Sequence, residues 1–280
     1  MLWNAKNGQV PLDRSVMPFV SFGRGEKALI LLPGLSDGLM TVSGKALLLA
    51  KPYRPYFDRY TVYMFSRRDP LPKGCSIREM AADQARAMGL IGLKKAAVMG
   101  VSEGGMVAQC LAIDHPELVE ALVVAVSAPR VNASIRSCIA MWTEDIRRND
   151  HRQLMIDTAE KSYSAAYLRR YRKLYPFLGA VGKPPDYSRF LINAEAILRF
   201  DVLRELAGIR CPTLIIGGGK DQIVGIEASR EMRRGIPGSK LYVYPDLGHA
   251  AYEEAEDFNE RVFRFLDAAS DPSACTLPLS

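Results

Sequence analysis

The sequence has few residues of the kinds that bind metals or cross-link chains. Its 280 residues include only five cysteines and three histidines. The cysteines are scattered, odd in number and never spaced as C-x-x-C, which argues against a disulfide framework or a zinc site. We therefore expect reduced cysteines and no metal.

Long apolar runs are also missing. No stretch approaches the ~18 uninterrupted apolar residues of a membrane-spanning helix, and the opening MLWNAKNGQVPLDRSV lacks the apolar run of about 7–15 residues of a secretion signal. We expect a cytoplasmic protein with no membrane partner; the alternative is a sequence already trimmed of a signal. The last residues, 271–280, show little periodicity and are predicted to be flexible.

The positive charge is unevenly distributed. The net charge is +6, and residues 130–205 hold 14 Lys and Arg against 9 Asp and Glu, a surplus of five. Such a surplus of positive charge can favour binding to nucleic acid. Here acids and bases interleave, as in EDIRR, which is typical of solvated helix faces. We predict no nucleic-acid partner; attraction of an anionic substrate toward this region is the alternative.

Buried strands alternate with helices along most of the chain. Continuous apolar runs such as KALILLPG and ALVVAVSAP are typical of strands covered on both faces of a parallel sheet. Ser76 and Glu79 match a helix capping box. The pattern predicts an α/β fold, with a mainly parallel central sheet flanked by helices. The predicted strands include 16–23, 27–34, 60–66, 121–129, 211–221 and 240–246.

One long stretch has no strand signal. Residues 130–205 contain helical patterns such as ASIRSCIAMWTEDIRRND, and a structureless loop of that length is improbable in a compact domain. The sequence therefore predicts an inserted helical lid at 130–205, between two parts of one core, 1–129 and 206–270.

The sharpest motif is G-x-S-x-G at Gly100, Ser102 and Gly104. It stands between an apolar strand and a helix, which is the context in which this motif presents a nucleophilic serine. The glycines avoid clashes at a tight strand-to-helix turn, and the helix N-terminus directs amides toward developing negative charge.

Four motifs in order resemble the α/β-hydrolase superfamily, in the lid-bearing branch of esterases, enol-lactonases and cofactor-free perhydrolases. The resemblance covers roughly 16–268 and rests on LILLPGLSDG, GVSEGGMVAQ, CPTLIIGGGKDQIV and YPDLGHAAYEE. It implies that Ser102 is the nucleophile, His249 the general base and Asp221 the acid that orients the base. Asp246 is the rival acid, with a turn residue as its alternative role.

The other two histidines are expected to be structural. His115 reads as a helix end at the surface, and His151 lies in the charged stretch RRNDHRQ, where we expect it to be solvated.

By the same resemblance, the backbone amides of Leu35 and Glu103 form the oxyanion hole. The sequence has Pro33 where the commoner family pattern has histidine. The Glu103 side chain also suits the first turn of a helix for electrostatic reasons. Ser36 and Trp142 are candidate substrate-pocket residues, and Asp37 is a further one. The alternatives are turn roles for Ser36 and Asp37 and a place in the core of the lid for Trp142.

The resulting hypothesis is a serine hydrolase that cleaves an ester, lactone or thioester of a small, fairly apolar substrate through an acyl-enzyme, with no cofactor or metal. Acyltransferase and perhydrolase activities share the same triad. A carbon–carbon bond hydrolase is disfavoured because Ala250 replaces the aromatic residue that often follows the histidine in those relatives. A ligand-binding receptor is the non-enzyme alternative. The oligomeric state is not predicted.

Overall fold

The computed structural model describes residues 2–270; the predicted flexible tail, 271–280, lies outside them. One eight-stranded sheet has the order β1-β2-β4-β3-β5-β6-β7-β8. β1 and β2 are antiparallel to their neighbours, and all pairs from β4 onward along this order are parallel. The strands are β1 Lys6–Leu12, β2 Ser15–Gly23, β3 Lys27–Leu32, β4 Tyr60–Phe65, β5 Ala96–Val101, β6 Val119–Ala125, β7 Thr213–Gly218 and β8 Lys240–Tyr244.

Helices connect the strands and cover both faces of the sheet. Ser76 and Glu79 form the predicted capping box at the start of α2. The α-helices of the described residues are α1 Ala46–Ala50, α2 Ile77–Leu90, α3 Glu103–Asp114, α4 Ala133–Arg147, α5 His151–Ser162, α6 Ala165–Tyr171, α7 Ser188–Leu198, α8 Ile226–Gly235, α9 Ala251–Glu254 and α10 Phe258–Ser270. The 3₁₀ helices are Leu2–Asn4, Leu35–Gly38, Lys51–Tyr56, Pro116–Leu118, Arg172–Ala180 and Leu206–Gly208.

The apolar strands bury both faces because successive side chains point to opposite sides of a sheet. In β5, Val98 belongs to one core cluster and its neighbour Met99 to the other. Val124 and Val123 divide in the same way in β6. The continuous apolar runs thus indicated their double-sided burial correctly, and the mainly parallel sheet expected from them is present.

The first strand was not predicted. β1, with the sequence KNGQVPL, has only Val10 and Leu12 buried and forms the edge of the sheet against β2. Because most of its side chains are polar or exposed, it carries too few apolar residues to produce a strand signal.

Residues 130–205 lie between β6 and β7 and contain α4 to α7 with one 3₁₀ helix; we call them the inserted segment. Its two ends meet where Arg130 and Asp201 form an isolated antiparallel bridge. Side-chain caps from Asn132, Asp150 and Ser164 start three of its helices. None of the helices described in residues 2–270 is long and apolar enough to cross a membrane.

Candidate active site

Ser102 occupies a strained turn between β5 and α3. Its φ of 54° and ψ of −121° lie in a region that side chains with a Cβ rarely adopt, and such strain is typical of functional sites. The turn is tight enough to require glycine on both sides. A Cβ at Gly100 would lie 2.2 Å from the Gly104 carbonyl oxygen, and one at Gly104 would lie 2.0 Å from the Leu32 carbonyl oxygen.

Hydrogen bonds hold this turn in place. The Ser102 amide donates to the Ala125 carbonyl at 3.0 Å, and the Ser102 carbonyl accepts from the Gly105 amide at 2.9 Å. The Ser127 hydroxyl donates to the same carbonyl at 2.7 Å. Ser127 follows β6 and had no recognisable sequence signal, because its partner lies on another loop. The strained serine is therefore supported by the adjacent strand.

Three predicted side chains meet at one end of the sheet. His249 Nε2 lies 2.9 Å from Ser102 Oγ, and His249 Nδ1 lies 2.8 Å from Asp221 Oδ2. Asp221 Oδ1 accepts from the amides of Ile223 and Val224 at 2.8 and 3.0 Å. Both carboxylate oxygens are thus engaged, which fixes the plane of the group beside the imidazole.

The electrostatics of Asp221 assign the tautomer of the histidine. Burial alone would raise the pKa of Asp221, but His249 and the two amides outweigh it and hold the pKa below its usual value. Asp221 is therefore a carboxylate at neutral pH and can only accept. It follows that Nδ1 carries the hydrogen, which leaves Nε2 free to accept from the Ser102 hydroxyl. Asp246 is exposed and pairs with Lys220 at 2.7 Å instead.

The Leu35 amide lies on the loop next to Ser102. A Cβ on Gly34 would lie 3.7 Å from Ser102 Oγ, so the start of the Leu35–Gly38 turn lies against the serine. Glu103 begins α3 directly after it. Within residues 2–270, neither the Leu35 nor the Glu103 amide donates to a protein acceptor. Both are therefore free to donate to a ligand.

The Glu103 side chain points away into the protein. It is buried and faces the buried Arg67, with Oε2 and Nη2 3.4 Å apart. Burial raises the pKa of Glu103, and the Arg67 charge opposes that shift. This pairing gives the side chain a structural environment quite separate from the role predicted for its amide.

A cavity of about 360 Å³ opens beside His249 and Ser36. A smaller cavity of about 170 Å³ is lined by Gly34 and shares Ser36 with the first. Trp142 is packed in the core cluster of the α2 and α3 face, away from the residues that line these cavities. The larger cavity is lined mainly by apolar and aromatic side chains, among them Met155, Ala159, Tyr163, Tyr167, Leu168, Tyr175 and Tyr252.

The histidine expected to be solvated is buried. His151 is 3% exposed, with Nε2 2.7 Å from the Val181 carbonyl oxygen and Nδ1 2.9 Å from the Tyr187 hydroxyl. The prediction failed because neighbouring charges in sequence do not reveal what packs on the other side of a helix. His115 is half-buried beside Glu117, as expected of a surface position. Residues 2–270 contain no group of three potential metal-ligating side chains.

Comparison with known proteins identifies the family. A model of the alpha/beta hydrolase fold matches residues 27–256, so the chain belongs to the α/β-hydrolase family. The enol-lactonase from Burkholderia xenovorans LB400 shares this fold, with a TM-score of 0.76 and 20% sequence identity over 93% of this chain and 100% of that one.

Curated relatives carry hydrolase names. "Putative carbamate hydrolase RutD" of Caulobacter sp. (strain K31) is 28% identical over 244 residues, which are 83% of this chain and 89% of the relative. A 2-hydroxy-6-oxononadienedioate/2-hydroxy-6-oxononatrienedioate hydrolase of Pseudomonas sp. is 27% identical over 189 residues, 64% of this chain and 65% of that protein. These names support a hydrolase on this fold.

Proposed function

We propose that this protein is a serine hydrolase that cleaves the carboxylic ester, lactone or thioester bond of a small, apolar substrate. The observation that carries the proposal is the continuous hydrogen-bonded chain from Ser102 through His249 to Asp221, at 2.9 and 2.8 Å. A serine hydroxyl is a weak nucleophile until a base removes its proton. Here the base is in contact with the hydroxyl, and a buried carboxylate orients the base.

The proposed mechanism follows from these hydrogen bonds. Ser102 Oγ attacks the carbonyl carbon while its proton passes to His249 Nε2, and Asp221 stabilises the resulting imidazolium. The Leu35 and Glu103 amides donate to the oxyanion. His249 then protonates the leaving group, which departs and leaves an acyl-enzyme. A water molecule, activated by His249, hydrolyses the acyl-enzyme and restores the serine.

The inserted segment acts in this proposal as the lid that selects the substrate. It supplies most of the apolar and aromatic lining of the cavity beside His249. A concave site lined in this way favours an apolar acyl or alcohol group. In this proposal the substrate pocket includes Ser36, which lines the cavity, and leaves out Trp142, which is buried in a core cluster.

Related reactions use the same groups. Acyl transfer and peroxyacid formation differ only in the molecule that attacks the acyl-enzyme, so they are alternative outcomes for the same site. The RutD relative adds carbamates to the acyl compounds worth testing. A receptor on this fold is the non-enzyme alternative, and it would bind ligand without turnover.

The first experiment compares hydrolysis of p-nitrophenyl acetate and butyrate by the wild type and Ser102→Ala. We expect the substitution to lower kcat by about 10⁴-fold or more, as removal of a triad serine does in other enzymes. Ser15→Ala, at a half-buried serine in β2, is the matched control and should retain the wild-type rate.

Labelling with a fluorophosphonate gives a second readout. A label on Ser102 of the wild type, absent when His249 is changed to Ala, would support an activated serine even where these esters are poor substrates. Equal rates for the wild type and Ser102→Ala, with no label on Ser102, would refute the proposal and favour a binding protein.

A further inference from the structure

We propose that Arg189, in the inserted segment, is a positioning residue that fixes the Leu35 amide of the oxyanion hole by acting through Asp37. This inference rests on the proposed function, because it concerns the geometry of the same site. No sequence motif singled out Arg189, and its contacts lie more than 100 residues away along the chain.

Arg189 is hydrogen-bonded along its whole guanidinium group. Nε donates to the Asp37 carbonyl at 3.1 Å, and Nη2 donates to Asp37 Oδ2 at 2.7 Å. Nη1 donates to the Arg68 carbonyl at 2.7 Å, and Nη2 also donates to the Arg67 carbonyl at 2.8 Å. The planar guanidinium thus joins residues 34–38, which we call the oxyanion loop, to Arg67 and Arg68 after β4. Lysine cannot replace these contacts, because its ammonium group has a single nitrogen and cannot donate in several fixed directions of one plane.

Asp37 transmits this contact to the oxyanion loop. Its side chain is 1% exposed, and Oδ2 accepts from the Arg67 amide at 2.9 Å as well as from Arg189. Its own amide donates to the Gly34 carbonyl at 3.1 Å, which closes the turn that contains Leu35. A displaced Asp37 would therefore change the position of the amide two residues before it.

The same helix also contacts the loop through backbone packing. A Cβ at Gly38 would lie 2.8 Å from the Phe190 Cα, so α7 and the Leu35–Gly38 turn are in direct contact. Arg67, whose amide bonds Asp37, faces Glu103 across 3.4 Å. The two residues predicted to donate to the oxyanion are thus connected through one buried set of charges: Asp37, Arg67, Glu103 and Arg189.

The position of the Leu35 amide matters because oxyanion donors act only within a narrow range of distance and direction. Removing one donor lowers kcat by about 10²–10³-fold in other enzymes, and loosening the supporting residues produces a smaller version of the same loss. Substrate binding in the cavity beside His249 does not use Arg189. We therefore expect loss of Arg189 to lower kcat with little change in KM.

The test compares Arg189→Lys and Arg189→Gln with the matched control Arg199→Gln. Arg199 follows α7 and donates to the Gly74 carbonyl at 3.1 Å, away from Asp37. The concentration of active sites is titrated by the burst of p-nitrophenol, and kcat is expressed per active site. Partially unfolded protein then does not lower the measured kcat. The affinity of a trifluoromethyl ketone, which forms an oxyanion at the serine, measures the oxyanion hole separately. Hydrogen exchange of residues 34–38 measures the loop without any catalysis.

We expect both Arg189 variants to lose about tenfold in kcat per site and a similar factor in ketone affinity, with faster exchange at 34–38 and KM within twofold. Arg199→Gln should change none of these quantities. Unchanged kcat, ketone affinity and exchange in Arg189→Lys would overturn the proposal, even if its Tm fell. If the wild type shows neither esterase activity nor a fluorophosphonate label on Ser102, but Arg189→Lys still shows faster exchange at 34–38, the positioning role stands and the proposed hydrolase is refuted. If Arg189→Gln does not fold, Arg189→Lys decides.

Discussion

Ser102 combines a strained backbone with a side chain placed for the proposed reaction. Its φ is 54°, and His249 Nε2 lies 2.9 Å from its Oγ. The strain costs about 1–3 kcal/mol in general. It persists because the Ala125 carbonyl and the Ser127 hydroxyl bind the serine backbone on both sides. The surrounding strands therefore impose the conformation on this residue.

Asp221 provides the first test at the residue scale. Asp221→Asn should lower kcat by about 10⁴-fold, because an amide in that position favours the wrong histidine tautomer. Asp246→Asn is the matched control, since its carboxylate is exposed and pairs with Lys220; it should retain the wild-type kcat. A full loss in Asp246→Asn with a mild effect in Asp221→Asn would reverse the assignment of the acid.

The lowered pKa of Asp221 also makes a prediction about pH. A carboxyl whose folded-state pKa lies below its unfolded value stabilises the protein above that unfolded value, and the contribution is lost as the pH falls through the folded pKa. Asp221 therefore stays ionised throughout the pH range above the usual carboxyl pKa. The difference in Tm between the wild type and Asp221→Asn should be constant above pH ~4 and shrink as the pH falls below it. A difference that already shrinks between pH 7 and pH 5 would contradict the lowered pKa.

Residues constrained by their sequence neighbours could be predicted from the sequence, whereas contacts between distant segments could not. Ser102 and its glycines were recognisable because their constraint is local: strand, turn and helix follow each other within a few residues. His249 and Asp221 were predicted from the resemblance of their motifs to the family, and the structure places both beside Ser102. Arg189 and the burial of His151 were missed, since their partners lie far away in sequence and depend on how the inserted segment packs.

Among the elements, α4 contains an acidic residue in an unfavourable place. Asp145 is 5% exposed, and burial together with the nearby Asp157 raises its pKa to about 6. Because the folded-state pKa lies above the unfolded value of 3.8, the folded state holds the proton more tightly. The associated stability is present below pH ~4 and is lost as the pH rises through ~6.

Asp145→Asn should therefore raise Tm more at pH 7.5 than at pH 4.5, because the amide never acquires the buried charge. Thermal unfolding at both pH values measures the difference. The control is Glu144→Gln on the same helix, whose half-buried carboxylate pairs with Arg148 at 2.8 Å; it should give no gain at pH 7.5. An equal change in Tm at both pH values in Asp145→Asn would contradict the raised pKa.

Elements with a clear apolar pattern were predicted well, and those without one were not. β5 and β6 are buried on both faces, so their unbroken apolar runs were sufficient. β1 was missed because this edge strand, which pairs with β2, buries few side chains and so shows no apolar pattern. Helix α2 was bounded correctly at its start because its cap is a side-chain interaction within four residues.

At the scale of the whole molecule, the inserted segment contacts three loops that carry residues of the proposed site, those of Asp221, His249 and Leu35. Asn132 Nδ2 donates to the Val224 carbonyl, beside the Asp221 loop, at 2.8 Å. The Ala250 amide, directly after His249, donates to the Ser162 carbonyl at 2.9 Å. Arg189 binds the oxyanion loop. The segment therefore has two roles in our proposal: it lines the substrate cavity, and it fixes the positions of the loops around that cavity.

The cavity beside His249 gives a test that separates these two roles. Ala159, on α5, lines the cavity, and replacing it with Phe would fill part of the ~360 Å³ without touching the loops. Ala159→Phe should lower kcat/KM for p-nitrophenyl octanoate by about tenfold or more, the scale on which hydrophobic pockets discriminate chain length. The rate with the acetate ester should stay within about twofold, because a short acyl group needs little of the cavity.

Ala166→Phe is the matched control, since Ala166 lies on the neighbouring helix α6 and is exposed. It should leave the chain-length profile unchanged. The profile is measured with p-nitrophenyl esters from acetate to dodecanoate, and again with acetate esters of alcohols of increasing length, so that either substrate group is free to occupy the cavity. Wild-type profiles in both series for Ala159→Phe would exclude this cavity as the substrate pocket. A uniform loss at every chain length would instead show that α5 acts on the active site through the His249 loop.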